Sequence, residues 1–388
     1  MFDSRELAIN GGNAVYPDGL KRGRVFGKEE KQAVCEVMEK GVVSRAGCGE
    51  KVQLFEKSFA DYHGVRYAIA TTSGTTALHT ALDALGIGPG DEVIVPDLTF
   101  ISTASAVMQT GAHVVFCDID VDTFNMSAED LERRITPKTK AVIVVHLYGA
   151  PADIASILAV TRKHNLWLVE DCAQAHGAKF DDQLVGTFGV ISCFSFYQSK
   201  NMSCGEGGMV ITDNEDLGRR ARSITRHGLI GDDLAAYDYD KLGYNYAMTE
   251  LHAAIGIVQL GKLEQMNEQR SINAALYRKE LAGVGMKFQR DIPGHANHYL
   301  TAVLPELYGE HRGKFLAAVR AEGGMINCLY PIALSRTKLF TALSDKPEIS
   351  DRVATTLFNL YVNPDVSDTF VRICCDAIKK VLKSNKGG

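Results

Sequence analysis

Residues 67–96, YAIATTSGTTALHTALDALGIGPGDEVIVP, carry the pattern that decides the fold. Tyr67–Ala70 is a short apolar run, Thr76–Leu85 has helical spacing, and Glu92–Pro96 is a second apolar run. Runs this continuously apolar belong to strands covered on both faces, and a helix between two of them is the crossover of a parallel sheet. The alternation continues downstream. His113–Cys117, Ala141–His146, Trp167–Glu170, Ser192–Phe196 and Gly208–Ile211 read as strands, with helices at Ile101–Thr110 and Ile154–His164. Ligands of such sheets bind beyond the carboxyl ends of the strands, so the chemistry is expected there.

The chain has 388 residues, beyond the roughly 250–300 at which one core stops growing. A large domain over residues 1–270 and a smaller one over 271–388 are therefore expected. After the loop Leu229–Tyr239, a long helical pattern carries Met248, Leu251, Ile255 and Val258 on one face towards Leu281. The second unit contains a strand at His298–Val303 and helices at Lys314–Glu322 and Val371–Leu382. The expected fold is a three-layer α/β/α, mainly parallel sheet with a smaller C-terminal α+β domain.

Hydrophobic residues at 46% and charged residues at 23% match an ordinary globular protein and exclude a disordered chain or a rod. Against 47 acidic residues stand 42 basic ones, a net charge of -5, so no basic surplus points to nucleic acid or an anionic membrane. The uncharged stretch between Asp97 and Asp118 is broken by Thr99, Ser102, Thr103, Ser105, Gln109, Thr110 and His113, which argues against a membrane span. MFDSRELAINGG at the start has neither a basic nor an apolar leader region, so no signal peptide is expected. The 9 cysteines (Cys35, Cys48, Cys117, Cys172, Cys193, Cys204, Cys328, Cys374, Cys375) form no CxxC pair. No metal site is expected, and a reduced cytoplasm fits best.

Three segments concentrate the chemistry. In Thr71-Thr72-Ser73-Gly74-Thr75-Thr76-Ala77-Leu78, a strand ends and a helix begins with hydroxyl residues and a glycine. Such a start is either a phosphate cradle of free N–H groups or a plain serine cap. In Trp167–Gly177, a buried strand runs into Glu170 and Asp171. An acid there is a helix cap, half of a salt bridge, or the partner of a cationic ligand. In Cys193–Gly208, an apolar strand leads to Lys200 and a glycine-rich turn. A lysine at that edge can condense with an aldehyde if its surroundings lower its pKa. Cradle, acid and lysine together are what pyridoxal phosphate requires. Neither GxGxxG nor GxxxxGK[ST] is present, which argues against nicotinamide and P-loop chemistry.

The chain resembles the DegT/StrS-type sugar aminotransferases, fold-type I pyridoxal-phosphate enzymes. The likeness runs from LAINGG (Leu7–Gly12) to LYVNPD (Leu360–Asp365). It rests on TTSGTTAL, DEVIVPDLTF, HLYGAPADI, EDCAQAHGA, FSFYQSKNMSCGEGGMVITD, GYNYAMTELHAAIG and YPIAL in that order. The resemblance implies pyridoxal 5'-phosphate as cofactor and Lys200 as the lysine that condenses with it and, once released, moves the proton. It implies Asp171 on the pyridine nitrogen, Gln174 on the ring hydroxyl, and Phe100 stacked on the ring. Ser73, Gly74, Thr75 and Ser195 would hold the phosphate, with Asn245 reaching the phosphate site of a second subunit in a homodimer. The implied reaction carries nitrogen from glutamate or glutamine to a keto-sugar, typically nucleotide-linked, with ping-pong kinetics. Relatives with histidine at the lysine position dehydrate the sugar instead, and Lys200 favours amino transfer. His176 and His227 are expected to be structural, and Tyr330 is a candidate contact from the second domain.

Two departures from the family pattern stand out. Ala247 replaces the arginine of N-Y-R, which opens a keto-inositol as an alternative acceptor. Ala333-Leu334-Ser335 stands where a histidine usually follows YPxPL. A cofactor- or sugar-binding regulatory protein without turnover is the alternative from another class. Retention of Lys200, Asp171 and Gln174 together argues against it.

Overall fold

A computed structural model describes residues 2, 4–20, 26–44, 49–231, 237–305, 308, 311–342 and 345–384. Residues 232–236 of the loop expected at Leu229–Tyr239, and Cys48, lie outside the described residues.

After α1 (Lys28–Lys40) and α2 (Lys51–His63), the expected alternation runs through β1 (Tyr67–Thr71), α3 (Gly74–Ala84), β2 (Glu92–Pro96), α4 (Ile101–Gln109), β3 (His113–Cys117), α5 (Ala128–Arg134), β4 (Thr139–Val145), α6 (Ile154–Lys163) and β5 (Trp167–Asp171). A small hairpin, β6 (Lys179–Phe180) and β7 (Gln183–Leu184), precedes β8 (Ile191–Ser195), β9 (Gly208–Thr212) and α7 (Glu215–Ile224). The central sheet has seven strands in the order β1-β9-β8-β5-β4-β2-β3. β9 runs antiparallel to both of its neighbours, and the remaining pairs are parallel.

Strand alternation sends successive side chains to opposite layers. Val93 and Val95 pack with Ala77, Leu78, Ala81, Ala104 and Val107 of α3 and α4. Ile94 faces the other way, onto Leu131 of α5 and Ile154 and Ile157 of α6. That same second face is covered further along by Phe55 and Phe59 of α2 and by the helix α8 (Glu250–Glu280). Helices on both faces leave no wet side, and so the strands are predominantly apolar.

The helix α8 runs unbroken past residue 270 and packs against α1, α2 and α11 (Asp368–Lys383). Its carboxyl half supplies Ala274 and Tyr277 to a second core, shared with Phe2, Leu7 and the antiparallel sheet β10-β11-β13-β12. The strands there are β10 (Lys287–Phe288), β11 (Leu300–Val303), β12 (Ile326–Asn327) and β13 (Leu357–Leu360), and α9 (Arg312–Ala321) completes the layer. The strand expected from His298 begins two residues later. His298 N–H donates to Tyr148 O at 2.9 Å instead of joining the ladder.

Two buried carboxylates tie this unit to the large one. Asp97, just after β2, accepts from Ser335 N–H at 2.7 Å, Ser335 Oγ at 2.8 Å and Ser350 Oγ at 2.8 Å. Asp118, just after β3, accepts the N–H groups of Glu348, Ile349 and Ser350 at the start of α10 (Ile349–Thr356). Where the family pattern has a histidine after YPxPL, Ser335 is fully buried with its N–H and its hydroxyl both donating to Asp97.

The floor of the ligand edge is set by Glu170, whose oxygens accept from the N–H groups of Gly186 (2.7 Å), Phe188 (2.8 Å) and Gly189 (2.6 Å), from Ser192 Oγ (3.3 Å) and from His146 Nε2 (3.1 Å). His146 Nδ1 accepts Ala152 N–H at 3.0 Å, so the proton sits on Nε2. Burial opposes the charge on Glu170, but His146, Gly189 and Gly186 outweigh it and hold the carboxyl below its usual 4.5. A carboxylate with a lowered folded pKa stabilises the protein fully above its unfolded pKa and loses that contribution as pH falls through the folded one. Glu170→Gln should cost about 3 kcal/mol at pH 7 and flatten the decline of stability below pH 4.5. Urea denaturation at pH 7 and pH 4 measures both effects.

Candidate active site

The carboxyl ends of β5 and β8 and the amino ends of α3 and α4 converge on a cavity of about 450 Å³. Of the site residues expected from sequence, Ser73, Gly74, Thr75, Phe100, Asp171, Gln174, Ser195 and Lys200 all line it. Asn245 does not. It is exposed, in a bridge to Arg226.

At the start of α3, Ser73 acts as a cap. Its Oγ accepts Thr76 N–H at 3.2 Å, while Thr76 Oγ1 accepts Ser73 N–H at 3.0 Å and Ala77 N–H bonds Ser73 O at 3.0 Å. The N–H groups of Gly74 and Thr75 are left at the positive end of the helix, where an anion is favoured. Thr75 Oγ1 meets Ser102 Oγ of α4 at 2.6 Å. A Cβ on Gly74 would stand 2.7 Å from Cβ of Ser195, so glycine lets the helix start close onto β8. This cradle of N–H and hydroxyl groups fits a phosphate.

Asp171 ends β5 only 5% exposed, accepting from Thr103 Oγ1 at 3.0 Å and Ala173 N–H at 3.1 Å. Burial raises its pKa against the opposing effects of Ala173 N–H, Lys200 and Thr103. No salt bridge reaches it among the described residues, and a cationic ring nitrogen would answer that buried charge. Burial also lowers the Lys200 amine from 10.5 to about 8, with Asp171 pulling it back upward. Among the described residues the Lys200 amine has no hydrogen-bond partner.

Gln174 is held from both ends. Its Oε1 accepts Tyr148 N–H at 2.7 Å, and its Nε2 donates to the Tyr330 hydroxyl at 2.5 Å. The amide is thereby oriented with Nε2 on the cavity side, as a donor to a ring hydroxyl would need. Tyr148 and Tyr330 both adopt left-handed backbone, φ 59 and 61, with rings stacked at 5.9 Å. Such conformations cost about 1–3 kcal/mol each, a cost tolerated here around one amide. The Phe100 ring is 55% exposed and 6.5 Å from that of Tyr330.

His176 is fully buried between Phe194 and Phe196, and burial lowers its pKa to about 3. His227 is exposed, and neither histidine lines the cavity. Thr103, Tyr148, His298 and Glu206 escaped the sequence analysis. Thr103, three residues beyond Phe100 on a helix, was findable by position, whereas His298 is far from every cofactor motif. His146, Glu170 and Cys172 bring ligand-type atoms within 4.8 Å of one another, but the Glu170 oxygens and both His146 nitrogens are already engaged.

The profile of the DegT/DnrJ/EryC1/StrS aminotransferase family matches residues 25–379. The spore coat polysaccharide biosynthesis protein SpsC of Bacillus subtilis is 36% identical over 376 residues, 92% of this chain and 96% of that protein. The UDP-N-acetyl-3-dehydro-alpha-D-glucosamine 3-aminotransferase of Acidithiobacillus ferrooxidans is 38% identical over 339 residues, 86% of this chain and 89% of its own length. Among solved structures, S. venezuelae DesV in complex with a ketimine intermediate superposes with a TM-score of 0.85 at 32% identity, covering 92% of this chain and 94% of that one.

In the cofactor-free protein, the Lys200 amine should become reactive as pH rises through about 8. Roughly a tenth of it is uncharged at pH 7 and nine tenths at pH 9. Asp171→Asn removes the charge that favours the ammonium and should shift the midpoint lower. Labelling with trinitrobenzenesulfonate across pH, followed by peptide mapping, reads the midpoint; a value near 10 contradicts the burial of this amine.

Proposed function

Because the chain belongs to the DegT/DnrJ/EryC1/StrS aminotransferase family, we propose that it moves an amino group from glutamate or glutamine to a nucleotide-linked keto-sugar in two successive half-reactions. The cofactor is pyridoxal 5'-phosphate, which when bound supplies an aldehyde for amines and a ring that stabilises negative charge on the substrate carbon. The observation that carries this reading is that one cavity is lined by the Lys200 amine, the buried Asp171 carboxylate and the N–H cradle of Gly74 and Thr75.

Each side chain then has a task. Lys200, with an amine at about 8, holds a proton at one moment and gives it up the next at the substrate carbon. Asp171, kept in place by Thr103 and Ala173, holds positive charge at the ring nitrogen. Gln174 Nε2 would donate to the ring hydroxyl, and the Phe100 side chain would supply an aromatic face for the ring. Ser73, Gly74, Thr75 and Ser195 bind the phosphate.

The working unit is a homodimer with shared sites, in which Asn245 of each copy completes the phosphate site of the other. Supporting this, Asn245 is exposed in a segment that also presents Leu242 at 75% exposure, and Phe100 and Tyr197 stand half-exposed on the cavity wall. A reducing cytoplasm suits the eight described cysteines, all of them free.

Purified protein loaded with cofactor should be yellow, and borohydride should fix the cofactor on the peptide holding Lys200. Lys200→Ala should reduce amino transfer on the order of a thousandfold or more; retained turnover refutes its role. The acceptor is found by adding UDP- and GDP-linked keto-sugars and a keto-inositol to the aminated cofactor form and watching which one restores the original spectrum. For Asn245→Ala, cofactor affinity should fall and depend on protein concentration; an unchanged affinity speaks against a shared site.

A further inference from the structure

His298 lines the cavity at 2% exposure, and the hydrogen bonds behind it decide which ring nitrogen carries the proton. Asn267 Nδ2 donates to the carbonyl of His176 at 2.8 Å, which leaves Asn267 Oδ1 to accept from Asn201 Nδ2 at 2.9 Å. Asn201 Nδ2 gives its second hydrogen to the carbonyl of Ala296 at 2.7 Å. Both amide hydrogens are then committed, so Asn201 turns its oxygen to His298 Nδ1 at 3.0 Å. An amide oxygen only accepts. Nδ1 therefore carries a proton, and in the neutral ring the lone pair is on Nε2. The polarity cannot be reversed by flipping amides, because the row ends on backbone carbonyls, which never donate.

The backbone under the ring is fixed as well. Arg270 donates to the carbonyl of His298 at 3.2 Å, and His298 N–H bonds Tyr148 O at 2.9 Å. That approach needs Gly149, where a Cβ would lie 2.9 Å from His298 N. Asn201, the hinge of the relay, directly follows Lys200 in the chain.

We propose that His298 is a substrate-binding residue, whose Nε2 accepts a hydrogen bond from a hydroxyl group of the keto-sugar; this rests on the aminotransferase reading above. A neutral acceptor gives no purchase to the carboxylates of glutamate, which have no hydrogen to offer. A sugar has hydroxyl hydrogens in surplus. Tyr330 also lines the cavity, and its hydroxyl already accepts from Gln174 Nε2, so its own proton is directed elsewhere. His298 and Tyr330, both from the smaller unit, thus offer an acceptor and a donor to a polyhydroxylated ligand.

Two measurements test this. In holoenzyme labelled with 15N-histidine, two-bond proton–nitrogen correlations at pH 7.5 should show His298 as the neutral, Nδ1-protonated form, assigned by the signals lost in His298→Gln. A ring protonated on Nε2, or on both nitrogens, overturns the proposal. Kinetically, His298→Asn keeps a donor towards Asn201 but no longer reaches the Nε2 position, and His298→Gln keeps an acceptor at that reach. The KM for the keto-sugar should rise roughly tenfold in His298→Asn and remain near wild type in His298→Gln, while the KM for the amino donor moves less than twofold in both. An active wild type whose acceptor KM ignores both substitutions, or variants that raise both KM values equally, refutes the role of His298 alone. A wild type inert with every acceptor refutes the aminotransferase reading itself.

Discussion

Two consecutive carboxylates at the end of β5 organise this molecule. Strand geometry points Glu170 and Asp171 to opposite faces of the sheet, and their surroundings give them opposite fates. Glu170 is saturated by backbone N–H groups, a serine and a neutral histidine, so its charge is compensated within the protein. Asp171 receives one hydroxyl and one N–H, and its remaining need is for a cation. The first carboxylate anchors the loop of residues 186–189 so that the second can be held, buried, at a fixed place. Across the cavity, Lys200 is shaped by the same burial, which brings its amine into the range where it can both carry and release a proton near neutral pH.

The site is also a junction. The large unit supplies the helix starts, Asp171 and Lys200; the smaller one supplies Tyr330, Leu329 and His298 to the same walls. Their relative position is fixed by bonds that cross between the units. These are Asp97 with Ser335 and Ser350, Asp118 with the start of α10, Arg270 with the carbonyls of residues 297 and 298, and the strained pair Tyr148 and Tyr330 around Gln174. A loss of Asp97 would therefore be felt at Phe100, three residues away along the chain, as well as at Tyr330.

Amide orientation recurs as a means of setting chemistry. Gln174 is polarised by a backbone N–H at one end and a phenol at the other, and Asn201 by two acceptors on its nitrogen. In each case the group facing the cavity has its donor or acceptor character decided by neighbours that touch no ligand. Such networks are stable only when fully satisfied, and the buried segment around Gly149 shows how closely the backbone must pack to satisfy them.

Periodicity alone determined the layered sheet, because doubly covered strands read as near-continuous apolar runs, and β2 and β3 begin and end where the pattern places them. That Ser73–Thr75, Asp171 and Lys200 line one cavity was equally legible, since each ends or follows a strand within a few residues, and the topology carries those strand ends to one edge. The sequence could not show that Ser73 spends its hydroxyl on a cap, that Ser335 is bound to Asp97, or that His298 leaves its strand to enter the cavity. Those outcomes depend on partners between 97 and 253 positions away in the chain or on competition among local hydrogen bonds. Only the packed tertiary structure settles them, because a donor or acceptor is assigned its role by whatever the fold brings within about 3 Å.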